Sequence, residues 1–332
     1  MSESRILVTG ASGFIGTRLI SWLASQRRAV RATVRTALAR NALRNTVSDV
    51  VLVGDIERTT NWDHALEGVD VVVHLAARAH VLRERSTDPL SDFRAVNVEG
   101  TLGLAEQAAR RVRRLIFLSS IGVNGVRTTH VPFSASSPAA PTEDYAISKH
   151  EAEQALWKLS ESTGLEVVVV RSPLVYGPNC PGNFLRLLRL VDSGIPLPFA
   201  SIQNARSLIH VDNLVNALSA CADRPLARGR TYLVDDGVAI STPDLVRTLA
   251  GLLHRKAVLL PCPVSLLRWV GRMTGQGEAI ARLTDSLLID GSAIRSELDW
   301  QPVCSMSEGL MQTARWYKTR TIQASGSSRH TE

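Results

Sequence analysis

Short apolar runs alternate with segments of helical period along the first half of the chain. Six runs are almost continuous in Val, Ile, Leu and Ala, which is typical of strands buried on both faces: RILVTG, AVRATVR, DVVLVGD, DVVVHLAA, RLIFLSS and EVVVVRSP. Amphipathic segments such as FIGTRLISWLASQ and GTLGLAEQAARR lie between them. This alternation predicts an α/β fold with a doubly wound parallel sheet. Because ligands bind such sheets at the carboxyl ends of the strands, functional residues are expected there.

The pattern changes near residue 175, where longer loops replace the regular alternation. The change predicts a sheet domain over residues 1–175 and a smaller region over residues 176–318, part of which returns to the sheet. Within the smaller region, RSLIHVDNLVNAL (206–218) predicts a short strand followed by a helix. Residues 319–332 are mostly polar and small and predict a disordered tail. The prolines that interrupt the smaller region are Pro178, Pro181, Pro196 and Pro198.

Composition narrows the class of protein. The 332 residues are 45% hydrophobic and 21% charged, which is ordinary for a globular protein. Neither a secretory signal nor an apolar run long enough to span a bilayer is visible, so we expect a cytoplasmic protein without membrane insertion. The four cysteines form no C-x-x-C pair and the eight histidines no i, i+4 pair, so we expect no metal site.

The net charge of +7 raises the question of an anionic partner. The basic residues are dispersed along the chain, and the sequence contains no nucleic-acid-binding motif. Clusters such as RRVRR (110–114) are expected to be solvated helix ends, where cations suit the helix dipole. We therefore expect no nucleic-acid partner.

A glycine-rich turn follows the first predicted strand. In VTGASGFIG, Gly10, Gly13 and Gly16 recur at three-residue spacing between a strand and an amphipathic segment. Glycines there permit a tight turn and a close approach of the backbone to a ligand, and the helix N-terminus offers N–H donors to phosphate. The segment predicts a Rossmann-like dinucleotide site whose contacts include Gly10, Ser12, Gly13, Phe14, Ile15 and Gly16.

The end of the second predicted strand bears on the type of dinucleotide. NAD sites usually carry an acidic residue about 20 residues after the glycines, where it accepts hydrogen bonds from the ribose. Here the strand ends in Val34 and Arg35. Because a guanidinium pairs well with a 2′-phosphate, Arg35 favours NADP, with NAD as the alternative. After the third strand, Asp55 and Ile56 are expected to contact the adenine end of the cofactor.

A tyrosine and a lysine lie four residues apart in DYAISKH, within a segment of helical period. Tyr145 and Lys149 would therefore share one face of a helix. A phenol with a pKa of about 10 is a poor acid–base catalyst at neutral pH, and a nearby ammonium would favour its ionised form. Ser120 ends the strand RLIFLSS and could hydrogen-bond the reacting oxygen. Alone, the spacing of Tyr145 and Lys149 is a weak signal, but joined to the glycine turn and to a serine at the end of a strand it becomes a strong one.

These features together resemble the extended short-chain dehydrogenase/reductase family, which includes nucleotide-sugar epimerases, dehydratases and reductases. The likeness covers about residues 4–318 and includes TGASGFIG, GDI, HLAA, NVEGT, LSS, YAISK, RSPLVYGP, RSLIHVDNL and LIDGSAIRSELDWQP. The resemblance implies that Ser120, Tyr145 and Lys149 are the catalytic residues. It also implies a cofactor site that includes Leu75, Ala76, Ala77, Asn97, Ser119, Tyr145, Lys149 and Pro173.

Similarity to nucleotide-sugar enzymes also implies a substrate site. Asn183 and Arg206 would contact the UDP, and Arg282 and Asp285 would contact its phosphate and ribose. Arg206 suits phosphate because a guanidinium donates paired hydrogen bonds. Similarity to family members further implies a homodimer, formed through the helices predicted for TLGLAEQAAR and AISKHEAEQALWKL.

The resemblance leaves the reaction open between two enzymes that use the same catalytic residues. The first is an NADP-dependent reductase of a UDP-4-keto-6-deoxy-N-acetylhexosamine, as in bacterial surface-polysaccharide biosynthesis, which Arg35 favours. The alternative is an NAD-dependent UDP-sugar 4-epimerase of the UDP-glucose type. A dehydratase is disfavoured because Ile, Gly and Val occupy positions 121–123 in place of an acidic signature. A non-catalytic NADP-sensing protein is a remote alternative, since a sensor does not need all three catalytic residues.

Overall fold

A computed structural model of the chain describes residues 4–79 and 87–327, with side chains described through residue 320. The strands in these ranges are β1 (Ile6–Thr9), β2 (Val30–Val34), β3 (Asp49–Leu52), β4 (Val71–His74), β5 (Arg114–Ser120), β6 (Glu166–Ser172), β7 (Leu174–Tyr176), β8 (Arg206–His210), β9 (Arg230–Leu233) and β10 (Ala239–Ile240). The α-helices are α1 (Phe14–Ser25), α2 (Ala37–Leu43), α3 (Asp63–Leu66), α4 (Pro89–Arg94), α5 (Thr101–Ala108), α6 (Asp144–Thr163), α7 (Gly182–Asp192), α8 (Val211–Asp223), α9 (Thr242–Leu252), α10 (Val264–Met273), α11 (Gly277–Thr284), α12 (Ser292–Leu298) and α13 (Met306–Ser327). A π-helical turn, Ala95–Gly100, joins α4 to α5.

The main sheet is parallel throughout. Within the described residues it has seven strands, in the order β3-β2-β1-β4-β5-β6-β9. The chain reverses its direction of winding between β1 and β4, which opens a crevice at the carboxyl ends of these strands. The predicted α/β doubly wound, Rossmann-like sheet is confirmed, and each of the six predicted strand segments contains one of its strands.

Successive residues of the strands pack on opposite faces of the main sheet. Ile6 and Val8 of β1 join the core cluster that includes α1 and α8. Leu7 and Val72 face the other side and join the cluster that includes α5 and α6. Because helices cover both faces, most strand positions are apolar, which explains the near-continuous Val, Ile and Leu runs in the sequence.

The chain leaves the main sheet after β6. Pro173 is buried between β6 and β7, where its missing N–H ends the ladder. A smaller sheet then forms in the order β10-β8-β7, and β8 runs directly into α8, as RSLIHVDNLVNAL predicts. Its core is a separate cluster that draws on α7, α9 and α13. The strand β9 returns to the edge of the main sheet beside β6.

The last helix is longer than the sequence predicts. Residues 319–327 continue α13, whereas the composition of 319–332 predicts a disordered tail. Leu310, Ala314 and Tyr317 anchor the helix in the smaller core, and no proline follows them to stop it. Residues 328–332 of the predicted tail lie outside the described residues.

One arginine of the RRVRR cluster is buried, which differs from the expectation of a solvated helix end. Arg114 begins β5 and is 1% exposed. It donates hydrogen bonds to the carbonyl oxygens of Cys221 and Arg224 at the end of α8, and to the carboxylate of Glu166. The guanidinium therefore satisfies backbone carbonyls that the end of a helix leaves unpaired.

The described residues contain no helix that is long and apolar enough to cross a bilayer. In the same ranges, no group of three or more His, Cys, Asp or Glu side chains could hold a metal ion. Cys180, Cys221 and Cys304 are buried free thiols, and burial raises the pKa of each above its usual value. These three thiols are therefore packing residues and not reactive thiolates.

Candidate active site

The turn between β1 and α1 brings the glycine segment to the carboxyl end of the main sheet. Gly10 has a φ of +65°, a left-handed conformation, and a Cβ there would lie 2.7 Å from the amide nitrogen of Ala76. A Cβ on Gly16 would overlap the carbonyl oxygen of Gly10. The packing of the protein itself therefore requires these two glycines, which hold α1 close to β1 and to the loop after β4.

Gly13 differs from the other two glycines. It has a φ of −78°, and a Cβ on it would meet only the carbonyl oxygen of Gly10, at 3.2 Å. No side chain caps the first turn of α1, and no acidic residue lies there. The N–H donors and the helix dipole suit a pyrophosphate, so these residues fit a dinucleotide. Ser12 is exposed beside Gly13, whereas Phe14 and Ile15 pack against the main core.

The ends of β2 and β3 carry an exposed ion pair. Nη1 of Arg35 lies 3.6 Å from Oδ1 of Asp55, and the two side chains are 73% and 74% exposed. Thr36 accepts a hydrogen bond from the N–H of Ala39 and so fixes the backbone just after Arg35. An exposed pair of this kind contributes at most about 1 kcal/mol, so Arg35 can exchange Asp55 for a phosphate. The neighbouring Ile56 packs against the core below the sheet.

A buried chain of hydrogen bonds, which the sequence analysis missed, positions the loop after β4. Oγ1 of Thr9 lies 2.7 Å from Nδ1 of His74, and Nε2 of His74 lies 2.9 Å from Oγ1 of Thr101. The Thr9 oxygen also accepts hydrogen bonds from the N–H groups of Leu75 and Ala76. Burial lowers the pKa of His74 to about 3, so its ring is neutral and serves as a fixed link.

The π-helical turn directs Asn97 under the same loop. The Asn97 oxygen accepts a hydrogen bond from the N–H of Arg78 at 2.8 Å. Its nitrogen donates to the carbonyl oxygen of Arg78 at 3.1 Å and to Oγ of Ser148 at 3.0 Å. Both amide hydrogens are thus used within the protein, and Asn97 ties the backbone at Ala77 and Arg78 to α6. A π turn often marks a functional site because it turns one side chain inward.

The first turn of α6 lies against the end of β5. The Ser120 hydroxyl oxygen accepts a hydrogen bond from the N–H of Gly122 at 3.1 Å. A Cβ on Gly122 would lie 3.1 Å from the Cβ of Ala146 and 3.4 Å from Oγ of Ser120, so Ser120 lies beside the helical turn that carries Tyr145. Because the Ser120 oxygen accepts from the backbone, its hydrogen remains available for a substrate oxygen. Lys149 follows Tyr145 by one turn of the same helix.

The ionisable groups of this site are perturbed by burial. Nζ of Lys149 lies over the ring of Phe117, 3.8 Å from its centroid. Burial lowers the pKa of Lys149 to about 7, although the charge of Glu153 opposes the shift. Burial raises the pKa of Tyr145 to about 12. The sequence predicts a lowered phenol pKa from the nearby ammonium, but in the chain alone the lysine lies against β5 and burial dominates.

Glu153 is the centre of a second buried network that the sequence analysis missed. It accepts hydrogen bonds from Oγ of Ser119 at 2.5 Å and from Nε and Nη2 of Arg171 at 3.0 and 2.5 Å. Arg171 also donates to Oδ1 of Asn124 at 3.0 Å. Ser119, predicted to contact the cofactor, is therefore a donor to this network. The signal in the sequence is a glutamate four residues after Lys149 on the same helical face.

Three of the four predicted substrate residues lie together near the start of α6. Nη1 of Arg206 donates a hydrogen bond to the carbonyl oxygen of Asp285 at 2.9 Å. Arg282 pairs at 2.7 Å with Glu143, two residues before Tyr145. Burial lowers the pKa of Arg206, and the charge of Arg282 contributes to this shift. The two arginines therefore lie close to each other, and Arg282 reaches the residue just before α6.

Asp285 and Asn183 differ in how they relate to the other predicted substrate residues. The carboxylate of Asp285 pairs at 2.5 Å with Arg268 of α10, a residue that the sequence analysis missed. Asn183 is exposed near the start of α7 and makes no hydrogen bond to the other three substrate residues within the described ranges.

Comparisons with known proteins agree with this geometry. The model of the NAD dependent epimerase/dehydratase family matches residues 6–234. The UDP-glucose 4-epimerase of Vibrio cholerae is 41% identical over 313 residues, which cover 93% of this chain and 94% of the relative.

Two solved structures have a similar fold. MoeE5 in complex with UDP-glucose and NAD has a TM-score of 0.76 and 26% identity, covering 96% of this chain and 100% of that chain. The UDP-glucose 4-epimerase of Thermotoga maritima, solved with UDP-glucose, has a TM-score of 0.75 and 21% identity, covering 96% and 99%. At 21% identity the second likeness concerns the fold alone.

Replacement of Gly13 by valine should weaken NAD binding without unfolding the protein. The backbone at φ −78° accepts an L-residue, whereas a branched side chain would occupy the approach to the amides of α1. We expect a loss of affinity of at least about tenfold in isothermal titration, the effect of losing one charged hydrogen bond. The control is Gly16→Ala, which should instead lower the melting temperature because its Cβ overlaps Gly10. Unchanged NAD affinity in Gly13→Val would contradict the prediction.

Replacement of Lys149 by methionine should stabilise the cofactor-free protein at neutral pH. The pKa of Lys149 is lowered from 10.5 to about 7, so the unfolded chain holds a proton that the folded chain lacks between these values, and stability rises with pH across this window. Lys149→Met should raise the melting temperature at pH 7 and flatten its dependence on pH up to about 10, while turnover falls at least about 100-fold.

The matched control for this variant is Lys158→Met, which removes an exposed lysine from the same helix. It should leave both the pH profile of the melting temperature and the turnover unchanged. A Lys149→Met protein with the pH slope of the wild type would show that this lysine is not the buried base.

Proposed function

The chain belongs to the NAD-dependent epimerase/dehydratase family, and on that premise we propose that it is a UDP-sugar 4-epimerase. The resemblance to extended short-chain dehydrogenases/reductases is thereby confirmed, and the chain is an NAD-dependent sugar-nucleotide enzyme. The Vibrio cholerae relative, 41% identical over nearly the full length of both chains, supports the 4-epimerase more than the reductase that Arg35 favours.

The Vibrio cholerae relative carries the choice of the epimerase, and the geometry of this chain supports the redox chemistry at a sugar hydroxyl that both candidate reactions share. Ser120 lies beside the first turn of α6, so its free hydroxyl hydrogen and the phenol of Tyr145 can reach the same substrate oxygen. Such a pair suits a sugar hydroxyl that becomes a carbonyl and returns to a hydroxyl. Arg206, bonded to the carbonyl oxygen of Asp285, and Arg282, paired with Glu143 two residues before Tyr145, suit the diphosphate of a nucleotide sugar.

In the proposed mechanism, Tyr145 removes the proton of the C4 hydroxyl and later returns it to the C4 oxygen. Ser120 donates a hydrogen bond to that oxygen and holds it against the phenol. Bound nicotinamide supplies the redox partner that oxidises C4 and reduces it again. Lys149, as an ammonium, favours the phenolate, and the buried carboxylate of Glu153 keeps the lysine protonated towards neutral pH.

The expected activity is interconversion of UDP-glucose and UDP-galactose, or of their N-acetylhexosamine counterparts, without net consumption of NADH or NADPH. Product sugars separated by chromatography report the reaction directly. Tyr145→Phe should lower turnover by at least about 100-fold, since it removes the hydroxyl group that exchanges the proton and keeps the aromatic ring. Stoichiometric loss of NADPH absorbance with a UDP-4-keto-6-deoxy-N-acetylhexosamine, and no interconversion of C4 epimers, would overturn the epimerase in favour of the reductase.

The second candidate is the NADP-dependent reductase, which Arg35 supports. Its guanidinium is exposed at the end of β2, and the ion pair that it forms among the described residues is the 3.6 Å contact with Asp55. No acidic residue ends β2 to bind the ribose hydroxyls, since the strand closes with Val34. A 2′-phosphate bound at this position would contact the guanidinium of Arg35, whereas NAD sites usually have a carboxylate there.

Arg35→Ala separates the two cofactors. If Arg35 binds a 2′-phosphate, the variant should lose NADP affinity by roughly tenfold or more and leave NAD affinity nearly unchanged, as one charged hydrogen bond is lost. Isothermal titration with each cofactor measures both effects. Arg44→Ala, an exposed arginine at the end of α2, is the control for the loss of charge alone. Equal losses for NAD and NADP would show that Arg35 does not read the 2′-phosphate.

A further inference from the structure

Helix α10 exposes an apolar face to solvent. The exposed apolar side chains of this helix are Leu266 (48%), Trp269 (59%), Val270 (44%) and Met273 (71%). Their spacing of i, i+3, i+4 and i+7 forms one continuous stripe along a helix. The opposite side already packs inward, through Leu267 in the smaller core. An exposed apolar stripe on the outer side of a packed helix indicates an interaction surface.

The chain around α10 is basic. Residues 245–277 contain no Asp or Glu but five basic residues: Arg247, Arg255, Lys256, Arg268 and Arg272. Three of them pair with carboxylates outside this stretch. The other two, Lys256 and Arg272, are exposed and have no ion pair within the described part of the chain. Arg268 and Arg272 lie four residues apart and form a basic row on one flank of the apolar stripe.

We propose that this surface, which we call the α10 face (Leu266, Trp269, Val270 and Met273 with Arg268 and Arg272), docks on an anionic membrane surface, with Lys256 in the same basic stretch of the chain. A helix with Trp and Leu on one face and Arg on its flank lies in the plane of the headgroups, with its apolar side chains inserted and its cations on the lipid phosphates. Trp is enriched at this boundary. The helix has only ten residues, so it lies on the bilayer and does not cross it.

The charge pattern disfavours a second copy of the chain as the partner. In a twofold dimer the same surface meets itself, so the Arg272 side chains of both copies would come together, and residues 245–277 contain no carboxylate to pair with them. The expected dimer helices, α5 and α6, are other elements of the fold. A nucleic acid would use the cations but would leave Trp269 and Met273 without a partner. An anionic lipid surface satisfies both the charges and the apolar stripe.

The α10 face is joined to the candidate substrate site. Arg268, on its basic flank, pairs with Asp285, whose carbonyl oxygen accepts a hydrogen bond from Arg206. Docking of α10 therefore brings the substrate side of the enzyme towards the membrane. The proposal concerns where the enzyme works and holds for either sugar reaction.

Sedimentation of the full-length protein with vesicles tests the proposal. Vesicles of phosphatidylglycerol mixed with phosphatidylcholine are compared with vesicles of phosphatidylcholine alone, at low and high salt. We expect binding to the anionic vesicles only, weakened by salt. Trp269→Ser combined with Met273→Ser should reduce this binding at least about tenfold, and Arg272→Glu combined with Lys256→Glu should also reduce it at least about tenfold.

The matched control is Leu38→Ser combined with Leu226→Ser, which removes two apolar side chains that are 81% and 66% exposed on other elements. It should bind vesicles like the wild type. Melting temperatures check that every variant folds. Equal binding of the wild type to neutral and anionic vesicles, or no binding to either, overturns the proposal. Loss of an oligomer in the Trp269→Ser, Met273→Ser variant, seen by light scattering without vesicle binding, overturns it in favour of a second copy.

Discussion

The ion pair between Glu153 and Arg171 is the interaction on which the geometry of the site depends. The two side chains are 2% and 9% exposed, and they join the middle of α6 to the end of β6. The same carboxylate accepts the hydroxyl of Ser119, one residue before Ser120, so the end of β5 is held as well. Removal of one partner from such a buried pair leaves an uncompensated charge and typically costs about 3–5 kcal/mol. A displacement of α6 would break this pair, so the position of α6 is coupled to the stability of the main sheet.

The second constraint is the free energy needed to bury Lys149. Burial removes its ammonium from water, and among the described residues the ring of Phe117 and the charge of Glu153 offset part of that loss. A lysine that contributed only to packing would be better replaced by an apolar residue. Its retention in the interior, one turn from Tyr145, agrees with a role in which its charge is needed at the reacting phenol.

The sequence predicts the main sheet because strands buried on both faces are rich in Val, Ile and Leu, which gives near-continuous apolar runs. The glycine turn is predictable for a related reason, since Gly10 and Gly16 are required by contacts inside the chain itself. Asn97 stays a predicted site residue, and its hydrogen-bond partners cannot be predicted from the sequence because the π turn that directs it depends on packing around α6. Arg114 was expected in solvent because a run of arginines has no pattern that distinguishes a buried one; its carbonyl partners at the end of α8 are distant in sequence.

The contacts of the predicted substrate residues are harder to predict, because a ligand phosphate can replace the carboxylates that pair with their arginines. Arg282 with Glu143 and Arg268 with Asp285 join arginines that are 41% and 44% exposed to carboxylates, and such pairs contribute little to stability. A diphosphate can therefore replace a carboxylate partner at little cost, as a 2′-phosphate can at Arg35. The cofactor half is fixed by backbone contacts and buried networks, and these determine which chemistry is possible. The choice of sugar, of cofactor phosphate and of reaction rests on exposed charges whose partners change on binding, which is why residues that identify the family do not by themselves identify the substrate.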